Sequence, residues 1–343
     1  MEFLRRRLGL IFRAVVSLLA IWYVFRTNDW GKVWEHARTM EIRWLLAGIL
    51  CFIPTLLIVS WRWRLLLAVH EVRMRFWRVF ELTMIGQFFS TIGVGTTGGD
   101  VFKIFYVTRA VPERKTAVAF TVIVDRVIGL LALLFFGVAL SCTRLPLLFS
   151  TGDTKAFAGT FYIFAIAGLI GAVLASCGPY FLNRPFFVSL ATKLPGAHRG
   201  KKLYAAYERS ARALGTNVLS LLASVPSHMS VTLMGYCVLR AMNLQPDLLA
   251  FCSILAIVNM LIALPVSISG IGVREALFTK FFALLVLPNG QTIPGEQAVT
   301  FSLTFFALNI IWSLAGGPFY FLYRHETHTP PPNVNEVEPI FEQ

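Results

Sequence analysis

The sequence predicts an all-α polytopic membrane protein, on three observations. Of its 343 residues, 56% are hydrophobic and only 14% charged, against roughly 45–50% and about 25% in soluble domains. Apolar runs close to the roughly 20 residues a bilayer requires recur almost end to end. Lys and Arg gather in alternate connections between those runs, as membrane orientation demands. About six to eight transmembrane helices and two glycine-broken hairpins account for the chain. Residues 1–325 form one membrane domain and 326–343 a disordered tail, marked by Pro330, Pro331 and Pro332 and then Glu336, Glu338 and Glu342.

Arg5, Arg6 and Arg7 precede the first run, 8–25, which closes on Trp22-Tyr-Val-Phe25 without a small-residue cleavage pattern, so it reads as an uncleaved first helix. Further spans are expected at 44–60, 117–140, 161–182, 214–239, 248–265 and 298–323, and the segments 79–97 and 273–287 flank the glycine breaks. Placing 1–7, 61–78, 101–116, 183–213 and 323–343 in the cytoplasm puts twenty bases inside and leaves seven in the opposite loops. Both termini are then cytoplasmic, in a cell (inner) membrane. The loop 183–213 carries Arg184, Lys193, Arg199, Lys201, Lys202, Arg209 and Arg212 among aromatic residues. It reads either as an interfacial segment drawn to anionic headgroups or as a simple topology determinant.

This orientation requires 79–100 to dip in and return rather than cross, and 248–287 to do the same from the opposite face. Each half of the chain then has two spanning helices, a broken hairpin and a last span. That is an inverted repeat, in which interrupted segments at matching positions point to a binding site.

The first break is Gly93-Val-Gly95-Thr96-Thr97-Gly98-Gly99-Asp100, followed by Lys103. The second is Pro265-Val-Ser267-Ile-Ser269-Gly270-Ile-Gly272-Val-Arg274-Glu275. Irregular backbone at membrane depth is tolerated only where protein buries it or a wet cavity faces it. Thr97-Gly98-Gly99-Asp100 also fits a capping box opening the helix that carries Lys103, and Glu275 falls in the first turn of the helix after Gly272. Such helix starts offer amides and a favourable dipole to an anion.

Asp125 and Arg126 lie near the middle of the 117–140 run, where charges are costly and mark function by default. Adjacent helix positions point about 100° apart, so each needs its own partner. Asp100 or Glu275 could serve Arg126, and Lys103 or Arg274 could serve Asp125. The cluster either receives a lipid phosphate or locks the hairpins as a structural ion-pair network.

Other patterns carry less. Gly93-x-Gly95-x-x-Gly98 has no preceding strand and is not a dinucleotide site. His325 and His328 lack zinc-protease spacing. His228 and Asn259 suit helix-to-helix hydrogen bonds. Cys51, Cys142, Cys177, Cys237 and Cys252 have no CxxC spacing and read as core residues. No nucleophile, metal cluster, cofactor motif or nucleic-acid surface stands out, and no covalent catalysis is expected.

The stretch 91–103, the Asp125-Arg126-Val-Ile-Gly129 helix and the stretch Leu264–Glu275 together resemble the lysylphosphatidylglycerol synthase transmembrane family, the flippase-like membrane region of the multiple peptide resistance factor. The resemblance implies an all-helical translocator of aminoacylated phosphatidylglycerol or another lipid-linked cargo. By position it carries the family's polar sites onto Asp100, Arg126, Arg274 and Glu275. No soluble aminoacyl-transfer domain follows residue 325, so lysyltransferase activity is not expected.

The resulting expectation is a transporter or flippase for a phosphate-bearing lipid, an aminoacyl-phospholipid or a polyprenyl-phosphate. Its site is expected from Thr97, Gly98, Gly99, Asp100, Lys103, Asp125, Arg126, Ser269, Gly270, Gly272, Arg274 and Glu275. The alternative is a non-transporting subunit that presents such a lipid to a separate transferase.

Overall fold

The structure, a computed structural model, describes residues 19, 22–92, 97–182, 197–263 and 270–323. Most of the first run, the glycine-rich segment 93–96, residues 183–196, the segment 264–269 and the tail lie outside the described residues, and with them Ser269. Among the described residues the regular structure is helical, apart from one isolated bridge between Val286 and Thr292. The helices are α1 Trp30–Arg38, α2 Ile42–Cys51, α3 Ile53–Val69, α4 Phe76–Ile92, α5 Thr97–Ala110, α6 Lys115–Ser141, α7 Gly152–Leu182, α8 Ala197–Arg212, α9 Leu214–Ala241, α10 Leu248–Ala263, α11 Val273–Phe282 and α12 Gly295–Leu322.

Among the described residues, five stretches are long and apolar enough to cross a membrane: Ile42–Val69, Pro112–Leu148, Gly152–Tyr180, Leu214–Ala241 and Gly295–Leu322. The α10 helix is equally apolar but only 16 residues long. An all-α membrane fold is therefore the architecture.

Two boundaries differ from expectation, for one reason. The loop read over 61–78 shrinks to the few residues between α3 and α4, because nothing breaks the helix before His70 and Glu71. The 101–116 loop is largely the helix α5. Basic residues in both stretches count as loop charge in a topology argument, yet Arg62 and Lys103 are helical residues inside the bundle.

The long helix α12 sets the register of both hairpins. Along α4, Arg78 stacks on Tyr323 at 3.9 Å, Phe80 meets Phe319 at 5.9 Å, and Ser313 Oγ donates to the Gln87 carbonyl at 2.5 Å. As α4 advances α12 recedes, so the two run antiparallel. Near the end of α5, Tyr106 returns to within 4.7 Å of the same Tyr323 ring. The first hairpin therefore enters and leaves at one end of the bundle.

The second hairpin opens at the other end. Asp247, just before α10, pairs with Arg144, and Lys280, near the end of α11, pairs with Asp153 at 2.6 Å. Arg144 lies in the connection between α6 and α7, and Asp153 in the first turn of α7. On α12, Gly295 abuts Thr279 and Ser302 bonds Glu275.

Continuing each register to the inner end of its hairpin places Ile92 level with about residue 308 of α12 and Gly272 level with about 304 or 305. At ~1.5 Å per residue, the two tips sit within about 6 Å of one another in depth, close to the middle of α12. Each hairpin also has its own core. Trp63, Leu67, Val79, Leu82, Ile85, Val107 and Val118 pack around the first, and Phe251, Phe278, Phe281, Phe282 and Phe301 around the second.

Glycine sets how closely these helices approach. A Cβ on Gly99 would lie 2.0 Å from the Gly86 carbonyl oxygen, and one on Gly316 would lie 2.2 Å from that of Met84. Small residues of this kind let helix backbones touch where the hydrophobic effect cannot drive association in lipid. The cysteines are less uniform than their spacing suggests. Cys237 is buried and 4.0 Å from Cys51, but Cys142 and Cys177 are exposed, a correction to reading all five as core.

The basic helix α8 is clamped to the bundle rather than left loose. Pro179 in α7 has no N–H to give the Ala175 carbonyl, and the Tyr207 hydroxyl donates to that carbonyl instead, at 2.7 Å. Glu71, in the left-handed region at φ 59°, receives hydrogen bonds from Arg114 (2.5 Å) and Arg209. Beside it, the His70 ring sits 2.9 Å from Ser210 Oγ and is almost fully enclosed.

Two predictions follow from this packing. Gly99→Ala should destabilise the purified protein by about 1–3 kcal/mol through overpacking, seen as a lower Tm. Gly171→Ala, which meets nothing within 4 Å, should leave Tm unchanged.

The α8 clamp should weaken in acid. Burial, then Arg209 and Arg114, hold the His70 pKa below its ordinary 6.5. The unfolded state therefore takes up the proton first, and this contribution is full above about pH 6.5 and is lost as pH falls below it. Hydrogen bonds from Arg209 and Arg114 likewise hold Glu71 below its ordinary value, so its contribution disappears at still lower pH. Protection factors for amide exchange in α8, which divide out the intrinsic pH dependence, should fall between pH 7.5 and 5.5, and Glu71→Gln should lower them already at pH 7.5.

Candidate functional site

At the first hairpin three helices bring charge to one place, and a fourth supplies a hydroxyl. Arg62 on α3 donates from Nε to Asp125 Oδ1 on α6 at 2.7 Å and from Nη1 to Ser224 Oγ on α9 at 2.7 Å. Its guanidinium lies against Gly129, where a Cβ would sit 3.2 Å from both terminal nitrogens. Gly129 is one turn beyond Asp125, so a single face of α6 supplies both the carboxylate and the room for its partner. The Gly129 carbonyl in turn meets His228 Nε2 of α9 at 3.0 Å. Trp63 Nε1 reaches Thr121 Oγ1 at 3.3 Å, and Thr55 Oγ1 donates to the Ser227 carbonyl at 3.0 Å. These contacts fasten α3, α6 and α9 together.

A second pair stands in front of the first. Arg126 Nε donates to Asp100 Oδ2 at 2.5 Å. The side chains of Arg126 and Asp100 are 48% and 16% accessible, against 7% and 11% for Arg62 and Asp125. Around Arg126 the exposed residues are apolar: Ile123, Val127 and Leu130 on α6, and Val101 and Phe105 on α5. In a membrane protein such a surface faces lipid, so the outer pair bridges α5 and α6 on the lipid-facing side of the bundle, about halfway along α6.

Between the pairs sits Lys103. Its ammonium lies 5.1 Å from the Trp63 ring centroid, and its stem packs on Gly86. It is within electrostatic reach of Asp125, Asp100, Arg126 and Arg62, yet it forms no hydrogen bond or ion pair with another described residue.

At the second hairpin, Gly270 and Gly272 turn the chain into α11 with φ of 75° and 82°, a region that favours glycine. The Gly272 N–H donates to Glu275 Oε2 at 2.7 Å, the cap its spacing suggests. Glu275 Oε1 accepts from Arg274 Nη2 at 2.5 Å and from Ser302 Oγ at 3.0 Å. The Arg274 guanidinium lies 4.1 Å from the centroid of the Phe306 ring. Arg274 and Glu275 are 5% and 4% exposed, so this pair is sealed where the Asp100–Arg126 pair is open.

The fold thus gathers Asp100, Lys103, Asp125 and Arg126 at one tip, with Gly99 at the helix contact, Gly98 beside it and Thr97 as the first residue of α5. Gly270, Gly272, Arg274 and Glu275 stand at the other. Arg126 takes Asp100, one of its two expected partners. Asp125 takes neither Lys103 nor Arg274 but Arg62, which α3 presents to it directly, while Arg274 is held by the adjacent Glu275. Arg62, Trp63 and Ser224 are site residues that sequence reasoning missed. The available signal was the unbroken helical run from Ile53 to Val69.

Fold and site define a polytopic α-helical membrane protein with two opposed hairpins and paired charges at their inner ends. The chain belongs to the family of the lysylphosphatidylglycerol synthase TM region, whose sequence profile matches residues 10–317. It is also 25% identical over 138 residues to the UPF0104 membrane protein PH1989 of Pyrococcus horikoshii, a match spanning 39% of each chain.

The two ion pairs should respond differently to mutation. Asp125→Ala leaves Arg62 buried without a counter-charge and should cost about 3–5 kcal/mol, with loss of monodisperse protein in detergent. Arg126→Ala, at the half-open pair, should remain folded with a Tm within a few degrees of wild type.

Proposed function

We propose that this protein is a lipid transporter or flippase, which holds the phosphate of a lipid headgroup between α5 and α6 while the acyl chains stay in the bilayer. The observation that carries this reading is the Arg126–Asp100 pair, half open among exposed apolar residues about halfway along α6. Intramembrane charge is expensive, and a fully structural pair would be expected to be enclosed as Arg62–Asp125 is. Arg126 and Lys103, with the N-terminal turn of α5, would meet the phosphate as charge and dipole. Asp100 would exchange its hold on Arg126 for a looser one. The opposed hairpins, level with one another on α12, would allow one repeat to rock against the other and open the site to either leaflet. The family to which the chain belongs supports a role with membrane lipids.

Reconstitution tests the proposal. Purified protein in vesicles should carry fluorescent phosphatidylglycerol between leaflets, and Arg126→Ala should reduce the rate at least about tenfold while remaining folded. Wild-type protein that leaves leaflet exchange at the protein-free rate contradicts transport. If it still binds lipid, it serves instead as a subunit presenting lipid to a separate transferase.

A further inference from the structure

The charge balance of the first-hairpin cluster distinguishes among phosphate-bearing lipids, given the lipid site proposed above. Its described groups are three cations, Arg62, Lys103 and Arg126, and two carboxylates, Asp100 and Asp125. Each carboxylate is already committed to an arginine, at 2.7 and 2.5 Å. The sequence between α4 and α5, 93–96, is Gly-Val-Gly-Thr and carries no titratable side chain. One positive charge is left over, on Lys103, held between a buried pair and an open one with the Trp63 ring as its neighbour.

We infer that the site selects a lipid with a singly anionic phosphodiester headgroup and discriminates against the same phosphodiester once an amino acid is esterified to it. One phosphodiester neutralises the surplus charge. A lysyl ester adds two ammonium groups, so the headgroup becomes a net cation entering a site that is already net positive. Asp125 is held by Arg62, and Asp100, even when the phosphate loosens it from Arg126, can meet only one of the two ammoniums. A polyprenyl diphosphate errs in the other direction, bringing more negative charge than one lysine balances. In a low-dielectric site an uncompensated unit charge is worth well over a tenfold change in affinity.

Native mass spectrometry of the full chain in a neutral detergent reads this directly. The protein is mixed with equimolar phosphatidylglycerol, lysyl-phosphatidylglycerol, a polyprenyl diphosphate and phosphatidylcholine. Wild type should carry phosphatidylglycerol at least about tenfold over lysyl-phosphatidylglycerol. Lys103→Gln should bring that ratio to within about twofold, and Lys103→Arg should preserve it, with all three proteins equally monodisperse. A wild-type preference for the lysyl lipid or the diphosphate overturns the inference, as does a preference unchanged in Lys103→Gln. If phosphatidylglycerol and its lysyl ester bind equally and both are lost in Arg126→Ala, the charge selection fails while the lipid site stands. If no lipid exceeds phosphatidylcholine and Arg126→Ala changes nothing, the lipid site itself fails.

Discussion

A guanidinium in hydrocarbon must be paired, and the pairing of Arg62 with Asp125 is the constraint on which this bundle rests. Removing either charge from water costs several kcal/mol even after relaxation, and only close geometry with further hydrogen bonds repays it. Here the repayment draws in three helices: α3 brings the base, α6 the acid and the Gly129 gap, and α9 the Ser224 hydroxyl. Because the pair fixes those helices, the Asp100–Arg126 pair and Lys103 have a rigid wall to stand against. Adjacent residues on α6 thus do opposite things. Asp125 faces inward and holds the scaffold, and Arg126 faces the lipid side.

The hairpins solve a second problem, that of bringing helix starts and polar side chains to mid-membrane without exposing backbone. Each is closed by its own apolar or aromatic core, and each is measured against α12. The Gly99–Gly86 and Gly316–Met84 contacts bring the backbones together. The shared helix explains how two hairpins entering from opposite ends can reach the same depth. They differ in finish: Arg274 and Glu275 are capped, bonded to Ser302 and sealed, whereas Asp100 and Arg126 remain open. The asymmetry concentrates the chemistry at the first hairpin.

Much of this was legible in the sequence because lipid imposes simple rules. Apolar run lengths located the spans, and loop bases required two segments to return to the side they came from. Charges inside an apolar run singled out Asp125 and Arg126, and the Gly272–Glu275 spacing announced the cap. What failed was local. Arg62-Trp63-Arg64 reads as a basic loop when bases are counted by stretch, and only the absence of a helix breaker before His70 argues otherwise. Partner choice was also beyond a single sequence. Asp125 could have met Lys103 or Arg274 equally well on charge alone, and the lateral placement of α3 against α6 decides for Arg62. The clamp of α8 by Glu71 depends on a left-handed backbone at a non-glycine residue, which no pattern signals.

The central claim is that a lipid phosphate reaches the charged cluster sideways from the bilayer, between α5 and α6. Photocrosslinking with a phosphatidylglycerol carrying a diazirine on its headgroup, followed by peptide mapping, tests it most directly. The account requires headgroup adducts concentrated on Val101, Phe105, Ile123 and Val127 and competed away by unlabelled phosphatidylglycerol. Adducts spread evenly over the lipid-facing helices, or centred on the apolar groove that Leu131 and Phe135 of α6 form with Ile166 and Leu169 of α7, would contradict it.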